Sequence, residues 1–390
     1  MRLFRRIVFW LHLVCGLVAG VVIAIMSATG IAIAFEEEIL AWIDRDVSRL
    51  ETAPAPGAVP LSVAELIERI HVARPDFAVS DVVVHRDQGA AWQFHSGHTA
   101  LLHVDPYTGT MRETRTHSAH DILHTLEEWH RWLGVDDGLN STARVVTGVC
   151  NLAFVVLCVT GLYLWFPRKW SWRSLRPLLW FVGRFRGKAR DFNWHNVFGF
   201  WSMPVLLLLA ATAVVISFEW GHKIPFALAG EEAPKARNYG MMAVPPPAVP
   251  DAPTGTPRAP YENAIARVQE AFPEWESIWL FPPRAAPAPD AEPPQLLSLG
   301  VTLPDYMPSR AYVPIKSDPF TGEILQAVRF QDRSPGLQAR VWIRFLHTGG
   351  AFGLPGKIVA VIATAASLIL VWTGFALSWR RFLARSRPTR

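Results

Sequence analysis

The sequence predicts a membrane protein: a four-helix transmembrane bundle built from two parallel repeats and carrying two outer α+β modules. Three observations predict it. Residues 7–35, 145–167, 192–218 and 358–379 contain no Asp, Glu, Lys or Arg, and a helix needs ~20 apolar residues to cross the hydrocarbon core. Basic residues gather on one side of these runs. A set of landmarks in the first half recurs in order in the second. Length alone, at 390 residues, would suggest two or three soluble domains, but a chain that is 51% hydrophobic with four such runs overrules that prior.

The segments follow in order. Span 1 occupies 1–35, an outer module with a His-rich helical end 36–140, span 2 141–167 and a basic loop 168–191. Span 3 occupies 192–220, a Pro-rich outer module 221–355, span 4 356–379 and a basic tail 380–390. Arg2, Arg5 and Arg6 precede span 1, eight Lys or Arg lie between Arg168 and Arg190, and Arg380, Arg381, Arg385, Arg387 and Arg390 follow span 4. The excess of Lys and Arg places these segments, and both termini, in the cytoplasm. The net charge of +5 is therefore a topology signal first and an attraction to anionic membrane lipid second. It does not indicate nucleic acid. The N-terminus imitates a signal peptide, but its apolar run is long and ends at Glu36-Glu37-Glu38, so it reads as a retained span. Cys15, Cys150 and Cys158 all lie in spans and read as small packing residues.

In the first outer module, Ser62 with Glu65 three residues later caps a helix carrying Leu66, Ile67 and Ile70. Strands follow at 82–84, 91–94 and 101–104, and Asp105-Pro106-Tyr107-Thr108-Gly109 makes a turn. The second module predicts a helix over 261–272, strands over 277–281, 295–301, 310–315 and 323–328, and the matching turn Asp318-Pro319-Phe320-Thr321-Gly322. Its Pro-rich tracts near 244–260 and 282–294 read as linkers.

The repeat organises the histidines. His12 with Gly16, the Asp105 turn, His130 with Gly134, and Thr160-Gly161 are answered by His195 with Gly199, the Asp318 turn, His347, and Thr373-Gly374. From turn to histidine is 25 residues in one half and 29 in the other. Taken alone, His12 reads equally well as a polar packing residue. Paired by the repeat, His12 faces His195 near one membrane surface and His130 faces His347 near the other. Two facing imidazoles suit a six-coordinate b-type haem, and a Gly one turn from each His leaves room for a flat macrocycle. Two haems, one per leaflet, would give an electron path. The Thr-Gly pairs read as close helix packing, with Thr bonding back to its own backbone; span 3 has Thr212-Ala213 instead.

Other histidines carry less. His71, His85 and His222 read as solvated. His95, His98 and His103 are close enough for a metal, though half-exposed strands give the same pattern. His117, His120 and His124 share a helix face, and His120 and His124 are secondary candidates as haem-iron ligands. No nucleotide-binding fingerprint is present.

The chain resembles the PepSY-associated transmembrane proteins, often described as iron-regulated or iron-uptake membrane proteins of Gram-negative bacteria. The resemblance rests on His12 with Gly16, the Glu36-Glu37-Glu38 exit, residues 104–109, 129–134 and 159–167, Asn193-Trp194-His195 with Gly199, and residues 346–349. It implies PepSY-like periplasmic modules and an inner-membrane ferric-siderophore reductase with haem b, held by His12, His130, His195 and His347. The electron donor would be a quinol or a cytoplasmic reductase. A non-catalytic sensor or assembly factor, or an accessory subunit of iron or siderophore uptake, is the alternative.

Overall fold

The computed structural model describes residues 2–97, 100–135, 142–167, 170–234, 245–248, 256–283, 296–304, 308 and 311–385. His98, Arg168, Lys169, the end of the basic tail, part of the 244–260 Pro-rich tract and most of the 282–294 tract lie outside the described residues. In chain order the helices are α1 (Arg2–Ile33), α2 (Glu36–Ile43), α3 (Val63–Ala73), α4 (His117–Trp132), α5 (Thr142–Trp165) and α6 (Trp172–Leu179). Then come α7 (Gly187–Ser217), α8 (Glu219–Leu228), α9 (Tyr261–Ala271), α10 (Pro335–His347) and α11 (Gly353–Arg385). The strands are β1 (Asp81–His85), β2 (Trp92–Ser96), β3 (Ala100–Val104), β4 (Met111–Glu113), β5 (Ser277–Phe281), β6 (Leu297–Leu303), β7 (Ala311–Ser317) and β8 (Ile324–Ala327). Residues 1–36, 122–232 and 339–390 make a helical unit, and 37–121 and 233–338 make a sheet unit.

In the helical unit, each charge-free run lies within α1, α5, α7 or α11 or extends at most two residues past its end, and all four helices are long and apolar enough to span a membrane. Helices α1 and α7 each border α5 and α11, so α1 and α7 oppose each other diagonally. Small residues let the helices close up: Ala19, Cys150, Cys158 and Ala363 are buried between them. Ser27 on α1 and Ser367 on α11 hydrogen-bond at 2.7 Å, the kind of polar contact that holds helices together where lipid gives no hydrophobic drive. The basic loop contains a helix that the sequence reading passed over. Ser171 caps α6, and Asn193 donates to the carbonyls of Pro177 and Trp180. Asp191 is fully buried and bonded by Arg190 at 2.9 Å and Arg380 at 3.0 Å. The Arg380 pair therefore pins α11 to α7.

The sheet unit departs from two separate modules. Its strands form one antiparallel sheet in the order β4-β3-β2-β1-β5-β6-β7-β8. Each half alone would leave β1 or β5 as an open edge, and pairing them removes both edges. One register row runs Leu102, Phe94, Val82, Leu280, Leu299, Ile315 across six strands. All six are at most 2% exposed and pack with Leu66 and Ile70 of α3 and Val268 of α9. Burying each contributes about 1.5–3 kcal/mol. A one-residue slip would turn the whole row outward, forfeiting about as much as the 5–15 kcal/mol that stabilises a typical domain. The predicted strands appear with ends shifted by up to two residues, and β4 is additional.

Candidate functional site

The four repeated histidines meet in two pairs inside the helical unit. His12 on α1 and His195 on α7 have ring centroids 6.3 Å apart, with planes at 86°. His130 on α4 and His347 on α10 are also 6.3 Å apart, at 47°. Metal–imidazole bonds are about 2.0–2.1 Å long, so two rings sharing one ion have centroids about 6 Å apart.

Each imidazole is aimed by a threonine. His12 Nδ1 lies 2.9 Å from Thr160 Oγ1 on α5, and His195 Nδ1 lies 2.9 Å from Thr373 Oγ1 on α11. His130 Nδ1 lies 3.3 Å from Thr29 Oγ1 and 2.8 Å from the Met26 carbonyl. His347 Nδ1 lies 3.3 Å from Thr212 Oγ1 and 3.1 Å from the Leu209 carbonyl. Every one of these hydroxyls donates its proton to the carbonyl four residues back: Thr160 to Val156, Thr373 to Ile369, Thr29 to Ile25 and Thr212 to Leu208. The hydroxyl oxygen can then only accept, so Nδ1 must donate and Nε2 keeps its lone pair. Among the described residues none of the four Nε2 atoms has a hydrogen-bond partner. An oriented histidine whose other nitrogen is bonded in this way is how proteins prepare a metal ligand.

The Thr-Gly pairs therefore differ from the packing role read from sequence. Thr does bond back to its backbone, and its oxygen also receives the imidazole. The following glycine admits the ring: an added Cβ would lie 3.2 Å from His12 Cε1 at Gly161, 3.7 Å from His195 Cε1 at Gly374 and 3.0 Å from His130 Cε1 at Gly30. Nothing in the sequence pattern tied these threonines to the histidines except their shared repetition.

A cavity of about 740 Å³ opens around the first pair, lined by both histidines, Gly16, Gly199, Gly161 and Gly374. Its size is that of a small-molecule or cofactor site. Gly134 does not follow the same plan. It lies beyond the end of α4 with φ +75°, and its amide donates to the Glu128 carbonyl. It terminates the helix instead of clearing space on the His130 face.

The other histidines fall elsewhere. His124 on α4 is 57% exposed and faces Glu128 at 3.7 Å; the ring that meets His347 is that of His130, and His120 lies earlier still. Among the described residues no group of three or more His, Cys, Asp or Glu is placed to hold a metal. His95 and His103 have separate carboxylates, Asp81 at 2.6 Å and Asp44 at 3.0 Å, and the His95 ring stacks on Trp279. His103 is buried, and Asp44 also accepts from Thr114 Oγ1 and the Arg115 amide. Burial pushes the His103 pKa down, with Asp44 partly opposing. His222, read as solvated, is 5% exposed and its ring meets Phe226: α8 turns it inward.

A family model described as the PepSY-associated TM region matches residues 9–381. Comparison with curated proteins finds no match.

Proposed function

The chain belongs to the family of PepSY-associated membrane proteins, and from that premise we propose that it is a b-type haem protein that carries electrons across a bacterial inner membrane to a periplasmic ferric-siderophore. The observation that carries this reading is the pairing of four imidazoles into two facing sets, each ring fixed by a threonine that leaves Nε2 open. The donor set is two neutral nitrogens per site, which would suit the iron of a low-spin haem. The residues present fit that group: the rings of both pairs stand at the right separation, and at the His12–His195 pair glycines flatten the cavity walls.

A haem at each pair would supply a one-electron carrier. The protein's own residues do the rest. His12 and His195 would hold the iron of one group, and His130 and His347 that of the other. Thr160, Thr373, Thr29 and Thr212 set tautomer and ring angle. Apolar walls such as Phe154, Leu157 and Leu206 exclude water and so tune the potential. Along α1 the two levels are marked by His12 and Thr29, 17 residues apart in sequence, or about 25 Å at 1.5 Å per residue. That span suits one group per leaflet. The two halves, each with matched spans, turn and helix, read as parallel repeats about an axis along the membrane normal, and the sheet unit as their fused PepSY-like modules.

Both termini and α6 would lie in the cytoplasm, and a quinol or a cytoplasmic reductase would supply the electrons. Each electron delivered outside converts substrate Fe(III) to Fe(II), which hard oxygen chelators hold less tightly. The purified protein should show Soret and α bands that respond to dithionite, with two haems per chain. His12→Ala or His195→Ala should leave one. A colourless protein, or two haems retained in His12→Ala, would sink the assignment.

A further inference from the structure

The cavity around His12 and His195 ends in cations. Arg5 and Arg6 of α1, Lys188 of α7 and Arg381 of α11 line it, and no carboxylate does so among its lining residues. Three of the four keep one spacing. Arg5 lies seven residues before His12, Lys188 seven before His195, and Arg381 seven after Gly374. Seven residues are close to two helical turns, so these three sit on the cavity-facing side of their helices, about 10 Å along them, and Arg6, one residue beyond Arg5, reaches the same cavity. Two are already engaged: Arg5 donates to the Leu164 carbonyl at 2.7 Å, and Arg381 lies over the Phe9 ring at 4.6 Å. Arg6 and Lys188 have no hydrogen bond or ion pair among the described residues.

Resting on the haem reading above, we infer that Arg6 and Lys188 bind the two carboxylates of the macrocycle in the His12–His195 cavity, and so fix its rotation and raise its potential. Protohaem carries both propionates on one edge, and that edge would point to the end of the bundle where these cations stand. A charge-assisted hydrogen bond is about twice as strong as a neutral one. Cations at the rim also oppose the gain of positive charge on oxidation. The same ends of α1 and α7 could instead hold the phosphate of a lipid headgroup, which shares the anionic-oxygen chemistry.

The test is a redox titration of the purified, haem-loaded protein in nanodiscs, once in neutral and once in anionic lipid. In the double variant Arg6→Gln/Lys188→Gln, the centre ligated by His12 should become at least tenfold harder to reduce in both lipids, about 59 mV for one electron. The other centre should not move. The propionate bending band in the resonance Raman spectrum should shift, and Arg6→Lys/Lys188→Arg should restore both readouts. An unmoved potential, or a shift seen only in anionic lipid, overturns the inference while leaving the haem reading intact. Loss of that haem from the Gln variant but not from the charge-keeping one supports it; loss from both overturns it. A wild-type protein without haem overturns both readings.

Discussion

Thr160 illustrates how much one hydroxyl can decide. Its proton goes to Val156, its oxygen takes the His12 Nδ1 proton, and the histidine is left with a single usable nitrogen. Thr373 does the same for His195. Replacing the hydroxyl by a methyl keeps the shape and removes the acceptor. Under the proposed haem reading, Thr160→Val should therefore weaken haem retention at that site by about 10–100-fold, the usual effect of losing a ligand's supporting hydrogen bond. Titration of the purified variant with a haem-scavenging apoprotein measures it; retention equal to wild type would remove the threonine from the site. The histidines were legible because imidazole in an apolar run is costly and so conspicuous. The threonines were not, because a hydroxyl in a membrane helix satisfies itself on its own backbone and needs no partner to explain it.

At the scale of elements, the two Asp-Pro-aromatic-Thr-Gly turns show what local sequence can settle. Asp105 Oδ1 accepts from the amides of Tyr107 and Thr108, and Asp318 Oδ1 from those of Phe320 and Thr321. Gly109 and Gly322 close the turns at φ +77° and +80°. Their surroundings differ. A Cβ at Gly322 would meet the Ala264 backbone nitrogen of α9 at 2.8 Å, whereas one at Gly109 would meet the movable end of Arg69. Left-handed backbone costs a non-glycine residue about 1–2 kcal/mol at either place. Gly322→Ala should therefore destabilise the sheet unit by clearly more than Gly109→Ala, as read by thermal unfolding; equal losses would show that α9 yields freely. The histidine spacing of α4 already read as a helix face, but α6 and α10 were less legible: the first was masked by its arginines and the second by the Pro-Gly that begins it.

The whole molecule sets a pH limit. His103 is buried against Asp44, and burial drives its pKa below the ordinary 6.5. His85 is shifted the same way, by burial first and then by the His103 charge. The unfolded chain binds these protons at 6.5 and the folded chain only lower. Stability is then fully present above pH 6.5 and is lost as pH falls from there through the folded values. Thermal unfolding should be flat from pH 7 to 8 and decline below 6.5, and His103→Gln should flatten part of the decline. An unchanged slope in that variant would exclude His103 as the source.

The sequence by itself determined that the chain enters a membrane, where the four spans lie, which turns close the strands and which histidines belong together. Each of these follows from period, length or repetition, properties that a chain carries before it folds. Only the tertiary structure decided that the two segments between spans share one sheet, that threonines on neighbouring helices choose the free nitrogen of each imidazole, and that Gly134 ends a helix. The first two outcomes depend on which surfaces meet across more than a hundred residues of intervening chain, and the third on how a single helix ends. Linear order does not encode the distance from Thr160 to His12, or from β1 to β5, until packing brings them together.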